Sequence, residues 1–293
     1  MTRIVLVHGI AQQFKGAETL SADWYPALSD GVGLASGKRI APSEVSMAFY
    51  GDLFRPAGHR GIGIPDLDAT DIQGDIESEL LWEWWKFTAT RDPAVPRPDA
   101  PARLRTPNMV QRALDALSHS AFFAGLSERM LIFSARQVRS YFTDPGIRAA
   151  AQHRLVAQVT PETRVIVAHS LGTVVAYEAL CAHPYWHDLT LVTLGSPLAV
   201  RNLIFDRLLP RPIHGNARWP APVTRWTNIF DEGDAVCLVK TLAPRFGGRI
   251  SDLSVHNGAA AHDVRPYLSA RETGQAIAEA LAPGPSGVHA EQG

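Results

Sequence analysis

The sequence predicts an α/β protein with a mostly parallel sheet of about six strands and helices on both faces. Short apolar runs in the chain are continuous rather than alternating, as is typical of strands covered on both faces. Stretches with helical periodicity separate these runs, which is the arrangement of βαβ units. The 293 residues are 46% hydrophobic and 19% charged, so the chain can bury a substantial core and global disorder is excluded.

The predicted strands are the apolar runs at 4–7, 45–50, 165–168, 189–194, 223–230 and 253–255. Helical periodicity is found at 76–87, from 109 onward, and at 121–142, 173–180 and 272–281. No strand is evident between 52 and 128, so we interpret this segment as a helical cap or lid inserted into one domain that spans 1–282. The tail, 283–293, is rich in Pro, Gly and polar residues and is predicted to be disordered.

Charge and cysteine content argue against several classes of partner. The chain has 28 basic and 29 acidic residues, so it lacks the electrostatic footprint of a nucleic-acid-binding protein. Cys181 and Cys237 form neither a CxxC pair nor a disulfide framework, so structural zinc is not expected. No apolar run reaches the roughly 20 residues of a membrane span, and the N-terminal run is too short for a signal peptide. We therefore expect a cytoplasmic protein without a transmembrane segment.

The strongest functional signal lies at residues 165–176. A buried strand ends at Ala168, and the turn 168–172, Ala-His-Ser-Leu-Gly, leads into a helix. Small residues two before and two after the serine let strand and helix pack closely, and the strained turn holds the hydroxyl above the sheet edge. This pattern predicts a nucleophile elbow with Ser170 as the nucleophile. The alternative is an ordinary strand–turn–helix in which Ser170 caps the helix.

A second motif follows the first predicted strand, where residues 8–10 read His-Gly-Ile. In enzymes with a nucleophile elbow, this loop and the residue after the nucleophile each supply a backbone N–H to the oxyanion hole. The glycine lets the backbone approach a substrate closely. We therefore expect the amides of Ile10 and Leu171 to stabilise an oxyanion, and we interpret His8 as a residue that orients the loop.

Together these motifs resemble the α/β-hydrolase superfamily, and most closely its lipase and GPI-inositol-deacylase-like serine esterases. Two further segments share the resemblance: Leu-Gly-Ser-Pro at 194–197, and Asn-x-x-Asp-x-x-Asp-Ala-Val at 228–236. The resemblance covers about 3–50 and 134–280, and it leaves out the insertion. It implies an α/β-hydrolase fold, for which the insertion would be the lid. It also implies a serine hydrolase that works through a Ser–acid–His triad and an acyl-enzyme.

The acid of the triad follows the serine in the chain order of this superfamily. The loop after the predicted strand at 223–230 offers Asp231, Glu232 and Asp234. We favour Asp234, because the resemblance is to a segment in which the second Asp precedes a small residue and Val. Asp231 is interpreted as a carboxylate that shapes the loop, and it stays open as the alternative acid.

The base of the triad comes last in the chain, where His256 and His262 are the candidates. We favour His262, because residues 261–268 resemble the family segment His-Ser/Asp-x-x-x-Tyr-Leu. His262 would accept the Ser170 proton, and Asp234 would fix the tautomer of the imidazole and stabilise the imidazolium. This chemistry requires no metal and no organic cofactor.

The insertion carries a conspicuous set of aromatic residues, which we expect to bind the substrate: Trp82, Trp84, Trp85, Phe122 and Phe123. They would either cover the core as one face of a cap helix or line a lid over the carboxyl ends of the strands, above Ser170. We expect a small-molecule or lipid-like carboxylic ester with an apolar acyl part as the substrate. The alternatives are a thioesterase, a peptidase or amidase with the same triad, and a non-catalytic binding protein with a hydrolase fold.

Overall fold

Parallel pairing between strands organises the protein. The computed structural model describes residues 1–55, 65–98, 106–123 and 127–282. Its strands are β1 (Ile4–Val7), β2 (Val45–Ala48), β3 (Val165–His169), β4 (Leu189–Leu194), β5 (Val223–Asp231) and β6 (Ile250–Val255). Within the described residues they form one six-stranded sheet in the order β2-β1-β3-β4-β5-β6, and each neighbouring pair is parallel.

Each predicted strand is present, and the largest difference concerns β6. This strand begins at Ile250, whereas the apolar run begins at Leu253. β6 lies at the edge of the sheet beside β5 alone, and its first half contains the polar residues Ser251 and Asp252. An edge strand has a neighbour on one side only, and most side chains of β6 are partly or fully exposed. It therefore lacks the continuous apolar run of a central strand.

The helices of the described residues are α1 (Ala17–Ser36), α2 (Asp75–Arg91), α3 (Pro107–Ser118), α4 (Glu128–Thr143), α5 (Pro145–Val156), α6 (Leu171–Ala182), α7 (Ala243–Phe246), α8 (Val264–Ser269) and α9 (Arg271–Leu281). The helix predicted at 121–142 starts only at Glu128, because the Ser127 hydroxyl caps it by accepting the amide of Met130. None of these helices is both long and apolar enough to cross a membrane. The disorder predicted for 283–293 lies outside the described residues.

Two hydrophobic cores lie on opposite faces of the sheet. Alternate residues of a strand point to opposite faces, so Ile4 and Leu6 of β1 pack with α1, α8 and α9. Val5 and Val7 of the same strand face the other core, which contains residues of α2 to α6. The structure therefore confirms the predicted α/β class, with a parallel sheet between two layers of helices.

The strand order also determines where a crevice can form. From β1 the chain moves outward to β2 and returns to β3, on the other side of β1. At such a change of direction the helices that follow the two strands, α1 and α6, lie on opposite faces of the sheet, and ligands of open parallel sheets bind at this point, outside the carboxyl ends. The loop after β1 and the turn after β3 meet here, and Gly9 and Ser170 are in contact.

Candidate active site

Ser170 occupies the turn between β3 and α6 in a strained conformation. Its φ is 54° and its ψ is −130°, a region that residues with a side chain rarely adopt. The turn is tight because Gly172 packs on the end of β1: a Cβ atom there would lie 2.6 Å from the carbonyl oxygen of Val7 and 2.3 Å from that of His8. The Ser170 side chain makes no capping hydrogen bond to α6. The structure therefore contradicts the alternative in which the Ser170 side chain caps α6.

Three loops bring Ser170, His262 and Asp234 into hydrogen-bond contact. The Nε2 atom of His262 lies 3.0 Å from the Ser170 Oγ, and its Nδ1 lies 2.8 Å from the Asp234 Oδ2. Because an ionised carboxylate only accepts hydrogen bonds, Nδ1 carries the proton and Nε2 is free to accept one from the serine. This is the geometry and the tautomer that a serine nucleophile with a general base requires. The catalytic roles of the three residues stay predictions.

The Asp234 carboxylate is fully buried, and four donors satisfy it. Oδ2 accepts from His262 and from the Tyr267 hydroxyl at 2.9 Å, while Oδ1 accepts from the amides of Val236 at 2.9 Å and Cys237 at 3.2 Å. Burial pushes the pKa of Asp234 up, but the His262 charge and the hydrogen bonds outweigh it and leave the pKa below its ordinary value. The carboxylate is thus held ionised despite its burial.

The alternative acid and base lie elsewhere in the same loops. The Asp231 carboxylate accepts hydrogen bonds from the amides of Gly233 at 2.6 Å and Asn257 at 2.5 Å. Its Oδ2 is 3.9 Å from Nδ1 of His256, whose side chain is 91% exposed. These contacts join the loop after β5 to the loop after β6, so Asp231 shapes the loops from which Asp234 and His262 project.

The loop after β1 lies against the nucleophile. A Cβ atom on Gly9 would be 2.6 Å from the Ser170 Cβ and 3.1 Å from its Oγ, so a side chain there would displace the serine. Ile10 lines the same cavity as Ser170. Leu171 is the first residue of α6, where backbone N–H groups have no acceptor within the helix. Both predicted oxyanion residues are therefore next to Ser170.

His8 holds this loop in place. Its Nε2 accepts the amide proton of Tyr50 at 3.0 Å, so its Nδ1 carries a proton and donates to the Gly9 carbonyl at 2.7 Å. The Tyr50 hydroxyl in turn donates to the His8 carbonyl at 2.6 Å. Burial lowers the pKa of His8 to about 4. His8 is thus a neutral structural residue, as the sequence pattern indicated.

Tyr267, His169 and Gly195 also lie at the Asp234–His262 pair, and sequence reasoning gave none of them a role there. Tyr267 donates to Asp234, and His169 Nε2 donates to the His262 carbonyl at 3.0 Å. Gly195 has a φ of 53°, and a Cβ there would lie 2.7 Å from the Asp234 Oδ2 and 3.2 Å from the His262 Nδ1. The available signals were a glycine directly after the strand next to the elbow strand and the tyrosine of the His262 segment.

Ser170 and His262 line a cavity of about 820 Å³. Of the five aromatic residues predicted to bind substrate, Trp84, Phe122 and Phe123 line it with them. Trp82 instead lines a separate cavity beside Asn202 and Arg207. Trp85 is buried, and its indole N–H donates to the Pro96 carbonyl at 2.7 Å. Successive residues of a helix point about 100° apart, which is why α2 directs only one of its three tryptophans to Ser170.

Within the described residues, no group of three or more His, Cys, Asp or Glu side chains is arranged to hold a metal ion. The absence of a metal or cofactor from the chemistry stays a prediction. No protein-family model matches the chain, and a comparison with curated proteins finds no significant match. A function for this chain therefore has to be inferred from its residues and their geometry.

Proposed function

We propose that the protein is a serine hydrolase of the α/β-hydrolase fold that cleaves carboxylic esters. It would be related to the lipase and GPI-inositol-deacylase-like serine esterases. The observation that carries the proposal is the hydrogen-bonded chain from Ser170 through His262 to Asp234, with the serine in a strained turn. A backbone that is strained by about 1–3 kcal/mol persists only where the surrounding structure enforces it, and such residues cluster at active sites.

In the proposed reaction, the Ser170 Oγ attacks the carbonyl carbon of the ester while His262 Nε2 takes its proton. The amides of Ile10 and Leu171 stabilise the oxyanion, each by about 3 kcal/mol in the transition state. His262 then gives its proton to the departing alcohol, which leaves an acyl-enzyme. Water, deprotonated by His262, releases the acid and restores the serine. Asp234 stabilises the imidazolium throughout.

The segment 52–128 would act as the lid in this proposal. This role is supported by Trp84 of α2, Phe122 and Phe123, which line the same cavity as Ser170. The rings of Phe122 and Phe123 pack edge to face, 4.6 Å apart, and Trp84 lies 5.4 Å from Phe123. An apolar part of the substrate would lie against these rings.

Labelling with a fluorophosphonate tests the proposal, because this reagent phosphonylates only a serine that is activated by a base. We expect the wild type to react and Ser170→Ala to lose both labelling and p-nitrophenyl acetate hydrolysis, the latter by a factor of about 10⁶. Ser251→Ala, which changes an exposed serine of β6, should keep both. An unlabelled wild type would overturn the proposal in favour of a binding protein. Labelling with turnover of thioesters or amides but not of esters would favour the thioesterase or amidase alternative.

A further inference from the structure

Ser170 stands between two spaces of very different size. One is the cavity of about 820 Å³, and the other is a slot of about 20 Å³. Ser170, Ile10, Trp84 and Val236 line both of them. A substrate whose reacting carbon is at the Ser170 Oγ can therefore extend one of its two parts into each space.

His262 decides which part of an ester faces which space. It lines the large cavity and not the slot, whereas Leu171 lines the slot and not the large cavity. The leaving oxygen has to receive its proton from His262 Nε2, so the alcohol part must lie on the His262 side. The acyl part, whose carbonyl oxygen would accept the amide proton of Leu171, then points to the slot.

The slot admits only a small acyl group. A volume of about 20 Å³ is close to the 10–15 Å³ that a single water molecule needs. Among the described residues that line it, only Ser170 and Trp84 carry a polar side-chain group, a hydroxyl and an indole N–H; the other walls include Leu80, Val138, Pro197, Val200 and Ile204. Leu80, Val138, Val200 and Ile204 belong to the buried core, so they cannot retreat without disturbing packing at near-crystalline density.

The large cavity has the opposite character. Aromatic rings of Trp84, Phe122 and Phe123 form one part of its lining. Two ion pairs also line it, Lys15 with Asp23 at 3.0 Å and Arg265 with Asp263. An alcohol with an apolar body and with polar groups at its outer end would match both parts.

We infer that the substrate is an ester of a short acyl group, of about acetyl size, with a large amphipathic alcohol. The inference rests on the proposed serine hydrolase function and assigns the apolar contacts to the alcohol. It thereby differs from the expectation, drawn from the aromatic residues of the sequence, that the acyl part is the large apolar one.

Two ester series on the wild type test the assignment. In the first, the acyl group of p-nitrophenyl esters grows from acetate through butyrate to octanoate, and kcat/KM should fall at least about tenfold between acetate and octanoate. In the second, the acyl group stays acetyl while the alcohol grows from ethanol to benzyl alcohol to naphthylmethanol. Here kcat/KM should rise at least about tenfold over the series, because the larger alcohols bury more apolar surface.

Matched variants locate the effect. Val200→Ala widens the slot, so the ratio of butyrate to acetate kcat/KM should rise at least about threefold. Phe122→Ala trims the large cavity, so it should leave that ratio unchanged and reduce the preference for naphthylmethyl over benzyl acetate. A ratio of two substrates on one variant does not depend on how much of the variant is folded.

The outcomes separate the inference from the proposed function. Octanoate hydrolysed faster than acetate, or a Val200→Ala ratio equal to that of wild type, would overturn the short-acyl assignment while fluorophosphonate labelling still supported a serine hydrolase. No labelling and no hydrolysis of any ester would overturn the proposed function itself.

Discussion

Gly195 is a residue at which a single added methyl group would meet the Asp234–His262 pair directly. In Gly195→Ala the new Cβ would start 2.7 Å from the Asp234 Oδ2, on a backbone with a φ of 53° that disfavours a side chain. We expect Asp234 to lose its alignment with His262 and kcat to fall by at least about 100-fold. The upper limit is the roughly 10⁴-fold loss of kcat that follows when the Asp of a triad is replaced. The measurement is the steady-state rate on p-nitrophenyl acetate.

Gly248→Ala is the control for this change, because a Cβ at Gly248 meets nothing within 4 Å. It should keep the wild-type rate. An unaltered kcat in Gly195→Ala would show that the close approach of Gly195 to Asp234 does not matter for the reaction.

Tyr267 connects Asp231, the last residue of β5, with Asp234 of the following loop. Its hydroxyl accepts the amide proton of Asp231 at 2.9 Å and donates to the Asp234 Oδ2 at 2.9 Å. Burial, followed by the Asp234 charge, raises the pKa of Tyr267 far above its ordinary value, so the phenol stays a donor. It is a positioning residue, since it acts on the base only through Asp234.

Tyr267→Phe removes this donor and leaves the Asp231 amide without its acceptor. We expect kcat to fall about tenfold with KM unchanged, because one hydrogen bond to the charged Asp234 is lost. The free energy of unfolding in urea should fall by about 1–3 kcal/mol. Unchanged values of both quantities would contradict the assigned role.

The crossing of α1 and α9 shows why glycines stand inside helices of this protein. A Cβ atom on Gly274 of α9 would lie 1.9 Å from the carbonyl oxygen of Gly31 in α1. A Cβ atom on Gly31 would lie 2.2 Å from the carbonyl oxygen of Leu268, in the neighbouring helix α8. The backbones of the two helices are thus in direct contact over the sheet. Each glycine costs about 0.5–1 kcal/mol of helix propensity, which the close packing offsets.

A pair of variants two residues apart in α1 tests this explanation. Gly31→Ala should lower the free energy of unfolding by about 1–3 kcal/mol, because the methyl group overpacks the contact. Gly33→Ala should raise it by about 0.5–1 kcal/mol, because its nearest neighbour would be 3.9 Å away and alanine favours the helix. Thermal or urea unfolding measures both, and shifts of the same sign would disprove the explanation.

At the scale of the whole molecule, two buried histidines couple stability to pH. Burial lowers the pKa of His8 to about 4 and, together with the charge of His262, that of His169 to about 3. In the unfolded chain a histidine titrates near 6.5. Between about pH 6.5 and pH 4 the unfolded chain therefore binds protons that the folded protein does not, so stability is complete above pH 6.5 and is lost as the pH falls.

Each of these histidines should remove about 1.4 kcal/mol per pH unit within that window. For the wild type we expect the free energy of unfolding in urea to be lower at pH 5 than at pH 7.5 by up to about 4 kcal/mol. His169→Asn should show a smaller difference between the two pH values than the wild type. The same stability of the wild type at both values would contradict burial of the two rings in their neutral form.

The central strands and the turn at Ser170 could be predicted from the sequence, because local residue patterns determine them. The continuous apolar runs identified the central strands, because burial on both faces leaves no room for alternation. The small residues around Ser170 identified the turn, because a strand and a helix can meet so closely only without side chains between them. The assignments of Asp234 and His262 drew on chain order and on family resemblance, and the structure places His262 beside Ser170 and Asp234 beside His262.

Long-range packing decided what the sequence pattern did not predict. Helix α1 was not predicted, because Pro26, Gly31 and Gly33 interrupt its helical periodicity. The contact with α9 explains Gly31, and this contact is visible only in the tertiary structure. Which tryptophan of α2 faces Ser170 depends on how that helix is rotated against the sheet. The size of the slot depends on side chains from α2, α4 and the loop after β4, which are far apart in the chain. Only the tertiary structure brings them together, because a cavity is what packing between distant segments leaves unfilled.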